Sequence, residues 1–225
     1  MYDSTIDFTL DTICPCQEEA TLRRVRATDA SSKVTFTIKY LPYQLYPGAS
    51  QTGEDKYEWY KRSCYGDSDE KMKMFQTLMT AYGASAGINY KFNGTVANTL
   101  PAHRLIQHYQ ATSPNGAEIA DKLVLSLYHQ YFEEEKHPSS AETLLAAAQA
   151  AGVEEGEARK FIADVGKDQE GMHELKVLIG EEAGNVLDQV PVVRVEGRKR
   201  DVTITGANEV EDYVKALMQI VRESE

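Results

Sequence analysis

Cysteine is scarce in this chain: three residues, Cys14, Cys16 and Cys64, among 225. That is too few for the disulfide-stapled scaffold of a small secreted domain, and the odd number fits reduced thiols in a cytosol. Positive charge is short as well, 24 Lys and Arg against 35 Asp and Glu, for a net charge of −11 and a pI near 5.0. Without a net positive field, a nucleic acid is not expected as the main partner. Long apolar runs are missing too. No stretch approaches the ~18 uninterrupted apolar residues of a membrane helix, so no membrane partner is expected. Met1-Tyr2-Asp3-Ser4 is polar, and the apolar residues after it alternate with polar ones, unlike a signal-peptide core. The expected location is cytoplasmic. No phosphate-binding glycine loop or Ser-His-Asp arrangement is visible. His129 and His137 flank Glu133-Glu134-Glu135 as helix-end surface without the spacing of a metal site, so no metal is expected.

What is present is an ordered alternation of patterns. The length suits one large domain, or a core domain with an inserted subdomain, able to bury a real core. Residues 5–13, TIDFTLDTI, place Ile6, Phe8 and Leu10 at every second position, the period of a half-buried strand. After Cys14-Pro15-Cys16, QEEATLRRVRAT reads as a helix, acids first and arginines later. KVTFTIKY, residues 33–40, alternates again, so the chain opens as βαβ with a parallel pair expected. The loop LPYQLYPGASQTG follows, and then six segments carry apolar residues three or four apart: KYEWYKRSCYG, DEKMKMFQTLMTAYGASAG, PAHRLIQHYQAT, EIADKLVLSLYHQYFEEE, AETLLAAAQAAG and EEGEARKFIADV. Ser139-Ser140-Ala141-Glu142 offers a capped start to the fifth. Strand character returns at residues 190–195 and at Val202-Thr203-Ile204-Thr205, a hairpin about Glu196-Gly197-Arg198-Lys199. From Asn208 onward, Val210, Tyr213, Val214, Leu217, Ile220 and Val221 share one helical face.

Cys14 stands where a strand ends and a helix begins, with Pro15 suited to the first helical turn. Unpaired N–H groups and the dipole at a helix start favour a thiolate, the recipe for a reactive cysteine. A small buried hydrophobe is the competing role. Pro191 opens a strand that should pair near the Cys14 loop, where proline often marks a cis bond in a tight turn. A plain strand-edge proline is the alternative.

Together these elements resemble the DsbA-like thioredoxin-fold family, in its FrnE-like branch, related to 2-hydroxychromene-2-carboxylate isomerases and kappa-class glutathione transferases. The similarity begins at DTICP and continues through YLPYQLYPGASQTGEDKYEWYKRSCYG. ANTLPAHRLI, which resembles an Asn-Thr-x-x-Ala-His-Arg-Leu signature, is its most specific part. VPVVRVEG and ITGANEVEDYVKAL resemble the closing Val-Pro strand, hairpin and helix. The resemblance implies an α/β thioredoxin-like fold, βαβ then ββα, over residues 1–52 and 186–225, with an all-helical insertion subdomain over 53–185. It implies Cys14 as nucleophile and Val190-Pro191 as the cis-proline pair beside it. It sets Asn98, Thr99 and His103 at the cleft border, where capping for Asn98 and Thr99 and a structural hydrogen bond for His103 remain alternatives. A homodimer is compatible with the family.

The chain also departs from the family pattern. Redox-competent members carry Cys-x-x-Cys, whereas this segment reads Cys14-Pro15-Cys16-Gln17. A thiol three residues on lies one helical turn from the nucleophile, but one two residues on points roughly 200° around the helix. A Cys14–Cys16 disulfide would distort the first turn and be easily reduced; a monothiol route through Cys14 alone is the alternative. Glu18 and Glu19 favour the helix start but oppose a nearby thiolate. Gln189 stands before Val190-Pro191 where a small residue is usual and is expected at the cleft. Cys64 reads as a half-buried packing residue, with partnership to Cys14 as the alternative. Trp59 and the tyrosines at 40, 43, 46, 57, 60 and 65 read mostly as packing, with an aromatic pocket for a flat substrate as the alternative.

Three functions follow. One is a thiol-disulfide oxidoreductase in which glutathione or Cys16 releases the mixed disulfide at Cys14. Another is a glutathione-dependent or small-molecule isomerase or transferase acting on an aromatic substrate. The last is a redox-inactive binding protein. No tightly bound cofactor is expected; glutathione would enter as co-substrate.

Overall fold

The computed structural model describes residues 2–14, 34–185, 189–206, 208 and 210–224. In chain order, β1 (Tyr2–Leu10) and β2 (Val34–Pro42) come first, then the two-residue strand β3 (Glu54–Asp55). Helices α1 (Lys56–Cys64) and α2 (Asp69–Ala86) precede β4 (Thr95–Val96), which pairs antiparallel with β3. Five helices follow: α3 (Leu100–Thr112), α4 (Gly116–Phe132), α5 (Ala141–Ala150), α6 (Glu155–Asp164) and α7 (Gln169–Asn185). The hairpin β5 (Val192–Val195) and β6 (Val202–Thr205) leads to the last helix, α8 (Val210–Glu223).

The main sheet has the order β2-β1-β5-β6. β1 and β2 run parallel in register from Tyr2↔Val34 to Leu10↔Pro42. Parallel neighbours need a crossover connection, here residues 11–33; the helix expected over 17–28 lies outside the described residues, as do Glu18 and Glu19. On its other side β1 pairs antiparallel with β5, from Ile6↔Val195 to Thr9↔Val192. β1 and β5 are thus the inner strands, and the period-two pattern of β1 is resolved as two faces. Ile6, Phe8 and Leu10 enter the core with Tyr40, Val193 and Val195, covered by Tyr213, Leu217 and Ile220 of α8. Asp7, Lys39 and Arg194 lie on the opposite, polar face.

The same apolar cluster continues into the helical segment, through Leu105, Ile106 and Tyr109 of α3, Leu123, Val124 and Leu127 of α4, and Leu144, Ala147 and Ala148 of α5. Each large side chain buried there stabilises the fold by roughly 1.5–3 kcal/mol. Strand β2 forms one edge of the sheet, and α3 covers it at Tyr40. The Tyr40 N–H donates to Gln110 Oε1 (2.8 Å), and the Tyr40 carbonyl accepts from Gln107 Nε2 and Gln110 Nε2, both at 3.0 Å. An edge strand bonded in this way offers fewer open backbone groups to another chain. Ser140 caps α5 by accepting from the Thr143 N–H (3.1 Å), the start that its sequence suggests.

Helix α7 is an addition to the six helical segments read from periodicity. Its buried positions are Gly171, Leu175 and Glu182, and glycines at 171, 180 and 184 interrupt the apolar stripe, so no strong helical period shows. Among the described residues, no helix is long and apolar enough to cross a membrane.

Candidate active site at the Cys14 turn

β1 ends at Leu10 and the chain folds into a tight turn in which the Cys14 N–H donates to the Asp11 carbonyl (3.0 Å). The turn is deeply set: Asp11, Thr12 and Ile13 are buried, and Cys14 is 2% exposed. Because Thr9 pairs with Val192, the residues just ahead of β5 run alongside this turn. The Val190–Pro191 bond is cis. Cys14 Sγ lies 4.0 Å from the Val190 carbonyl oxygen, a long thiol contact. Pro191 is held from its other side by the Gly206 N–H, which donates to its carbonyl (2.8 Å). The structure therefore brings Cys14, Val190 and Pro191 together, while Pro15 and Cys16 lie outside the described residues. Gln189 is exposed, and its Oε1 sits against Gly206, 2.4 Å from where a Cβ there would project.

Asp11 organises the turn and was given no role by the sequence reading. Its Oδ2 accepts from the Leu45 N–H (2.7 Å), and its backbone carbonyl accepts from the Tyr128 hydroxyl (3.0 Å) as well as from Cys14. Its Oδ1 faces His103 Nε2 at 3.4 Å, with both side chains buried. That pair lacks good hydrogen-bond geometry, and neither atom has another hydrogen-bond partner. Through its carboxylate Asp11 joins the Cys14 turn to the loop after β2 and to α3, and through its backbone carbonyl to α4. An unsolvated carboxylate is costly unless bonded, and the Leu45 amide supplies such a bond. The available signal was an acid directly after an alternating strand and just ahead of Cys14 in DTICP.

Asn98 and His103 separate in role. Asn98 Oδ1 accepts from the Leu100 N–H (2.9 Å) at the start of α3 and from Gln44 Nε2 (3.0 Å). Its Nδ2 donates to the Pro47 carbonyl (2.8 Å), and its own N–H donates to the Ser50 carbonyl (3.0 Å). Asn98 therefore clips the 43–50 loop to a helix start. His103 instead reaches across to Asp11.

An aromatic wall rises from that loop. Tyr46 packs edge-on against Trp59 (4.4 Å between centroids) and Tyr60 (6.1 Å), and Tyr60 stacks on Phe75 (6.0 Å). Burial, then Tyr60, Cys64 and Cys14, push the Tyr46 phenol well above its ordinary pKa, so it stays protonated. Its hydroxyl lies 3.6 Å from Cys64 Sγ. Cys64 is exposed, which corrects the expectation of a half-buried residue. The buried face of α1 is made by Lys56, Trp59 and Tyr60, and Cys64, one turn further, emerges past the end of that face. Lys56 is itself buried; its Nζ donates to the Tyr131 carbonyl (3.1 Å) and sits 4.1 Å from the Tyr131 ring centroid. Burial lowers its pKa to about 8, against an opposing effect of Glu135.

A cysteine turn at the end of the inner strand β1, facing a cis-proline at the head of the antiparallel hairpin, defines a thioredoxin-like α/β protein. Helices inserted between β2 and β5 narrow that class. The chain belongs to the DSBA-like thioredoxin domain family, which matches residues 5–218. No curated protein sequence matches it. Among solved structures, it is similar to a probable DsbA oxidoreductase from Streptomyces coelicolor, at 21% identity over 98% of this chain and 91% of that one, with a TM-score of 0.78. A 2-hydroxychromene-2-carboxylate isomerase aligns at 14% identity over 97% of this chain and 96% of its own, with a TM-score of 0.62. The cytosolic disulfide reductase DsbM from Pseudomonas aeruginosa aligns at 13% identity over 97% and 98%, with a TM-score of 0.56. At these identities the likeness shows the shared fold.

Proposed function

We propose that the protein is a thiol-disulfide oxidoreductase acting through Cys14. The observation that carries this reading is the approach of Cys14 Sγ to the Val190 carbonyl beside cis-Pro191. In this reading the Cys14 thiolate attacks one sulfur of a substrate disulfide, forms a mixed disulfide and expels the other sulfur as a thiolate. The backbone at residues 190 and 191 runs alongside the bond being made and orients the substrate. Because Cys14 is 2% exposed, its cover must part before a substrate sulfur can reach it. Glutathione is the proposed co-substrate, releasing the mixed disulfide without a bound cofactor, and a cytoplasmic setting would supply it.

The aromatic wall of Tyr46, Trp59 and Tyr60 favours a second reading, in which a flat aromatic molecule is isomerised or conjugated against that wall. Turnover of insulin or glutathione disulfide by the wild type, Cys14→Ser and Cys16→Ser separates the two. The thiol reading expects activity that Cys14→Ser abolishes; activity surviving Cys16→Ser would establish the monothiol route. No disulfide turnover by the wild type, with conversion of an aromatic substrate surviving Cys14→Ser, would favour the second reading and overturn the first.

A further inference from the structure

Lys56 is a buried amine that the thiol chemistry does not use. It is the first residue of α1, whose start Asp55 caps by accepting from the Glu58 N–H (2.9 Å), and it is 5% exposed. Its Nζ donates to the Tyr131 carbonyl (3.1 Å) and lies over the Tyr131 ring, 4.1 Å from the centroid. A lysine ammonium has three protons to place, and that carbonyl takes one of them. Among the described residues no carboxylate pairs with it; Glu135 acts through space, against the larger effect of burial. The amine also borders free space. Lys56 lines a cavity of about 30 Å³ whose walls include Tyr60, Met72, Phe75, Met79 and Phe132. One water needs about 10–15 Å³ of such space, so the cavity takes a group of about two heavy atoms. Tyr90, Lys91 and Phe92 line both this cavity and an open groove along α2, which brings the cavity to the surface.

We propose that Lys56 is a reactive amine that condenses reversibly with a small aliphatic aldehyde, whose carbon chain fills the cavity beside it. The site is separate from Cys14 and does not depend on the thiol reading. The neutral Nζ attacks the carbonyl carbon: a C–N bond forms, the π pair moves to oxygen, and a proton passes from nitrogen to oxygen. Loss of water then leaves a neutral imine. Nothing is oxidised or reduced, and water reverses the reaction. Burial supplies what the attack needs, because it disfavours the ammonium and lowers the Lys56 pKa to about 8. Charge and size select the partner. A carboxylic acid would bring its own charge against apolar walls, which is costly, whereas the aldehyde and the imine are both uncharged. Acetaldehyde, after losing its oxygen as water, adds two carbons to Nζ, and these suit a cavity of about 30 Å³.

The test incubates the full-length wild type at pH 8 with submillimolar acetaldehyde. The mixture is quenched into borohydride and urea, so that a buried imine is reduced as the chain opens, and the ethylated lysines are mapped by mass after digestion. At pH 8 a group of pKa about 8 is half neutral, against under about 1% for an ordinary lysine, so Lys56 should be modified about tenfold or more above exposed lysines. Lys160 and Lys176, both exposed, serve as the internal reference. A parallel incubation uses 2,2-dimethylpropanal, which is too bulky for the cavity. It should modify Lys160 and Lys176 but leave Lys56 at or below their level. Modification of Lys56 by acetaldehyde no greater than that of the exposed lysines would overturn the proposal. A preference for Lys56 that is equal with both aldehydes would also overturn it, because the cavity would then not select the partner.

Discussion

Removing the Asp11 carboxylate should destabilise the fold through two separable losses. In Asp11→Ala the half-buried Leu45 N–H loses its acceptor, and a donor left unsatisfied away from water costs about 1–3 kcal/mol. His103 Nε2 also loses the carboxylate that faces it at 3.4 Å, and removing one member of a buried ionisable pair costs up to about 3–5 kcal/mol. Part of the second cost is relieved by local relaxation, which puts the total near 3–5 kcal/mol. For a chain of this size each kcal/mol lowers the melting temperature by ~2–4 °C, so a fall of roughly 6–20 °C is expected in circular dichroism melts. A double-mutant cycle isolates the pair, because His103→Ala leaves the Leu45 bond in place. Urea denaturation of wild type, Asp11→Ala, His103→Ala and the double variant should give a coupling of about 1–3 kcal/mol. If the single effects add to within ~0.5 kcal/mol, the two side chains do not act together. A loss below about 1 kcal/mol in Asp11→Ala would refute its role as the link between turn, loop and helices.

Two further perturbations probe the helical segment. Lys56 has a folded pKa of about 8 against 10.5 for the free side chain, so between those values the unfolded chain holds a proton that the folded one has lost. Stability attributable to this residue therefore rises with pH across that window, by up to about 3 kcal/mol. Urea midpoints of the wild type and Lys56→Met should converge as the pH is raised from 8 to 10.5; parallel profiles would contradict the buried-amine account. Gly94 adopts φ +92°, and a Cβ there would fall 2.4 Å from the Glu135 carbonyl oxygen. Gly94→Ala should cost about 2 kcal/mol or more in the same assay, and a change below ~0.5 kcal/mol would show that the segment shifts freely.

The strands were legible because their alternation is written locally: Ile6, Phe8 and Leu10 predict the buried face of β1 without knowledge of what covers it. The position of Pro191 opposite Cys14 followed from element order, since a closing strand that pairs with β1 must begin near the point where β1 ends. Pairings across long sequence distances were not legible. Asp11 and His103 lie 92 residues apart, and nothing in either neighbourhood names the other; an acid at a strand end was the only hint. Helix α7 escaped because most of its surface faces solvent and glycines break its apolar stripe. Cys64 was misplaced for the opposite reason. The helical period puts it on the face of Lys56 and Tyr60, but periodicity does not say where the core beneath a helix stops.

The most direct measurement of the central claim is a single-turnover thiol count. Reduced protein is mixed with glutathione disulfide, and released glutathione is followed over time for the wild type and Cys14→Ser. The account predicts rapid release from the wild type, and from Cys14→Ser only the slow release expected of an ordinary exposed thiol such as Cys64. Equal release from both proteins would contradict the assignment of Cys14 as the nucleophile.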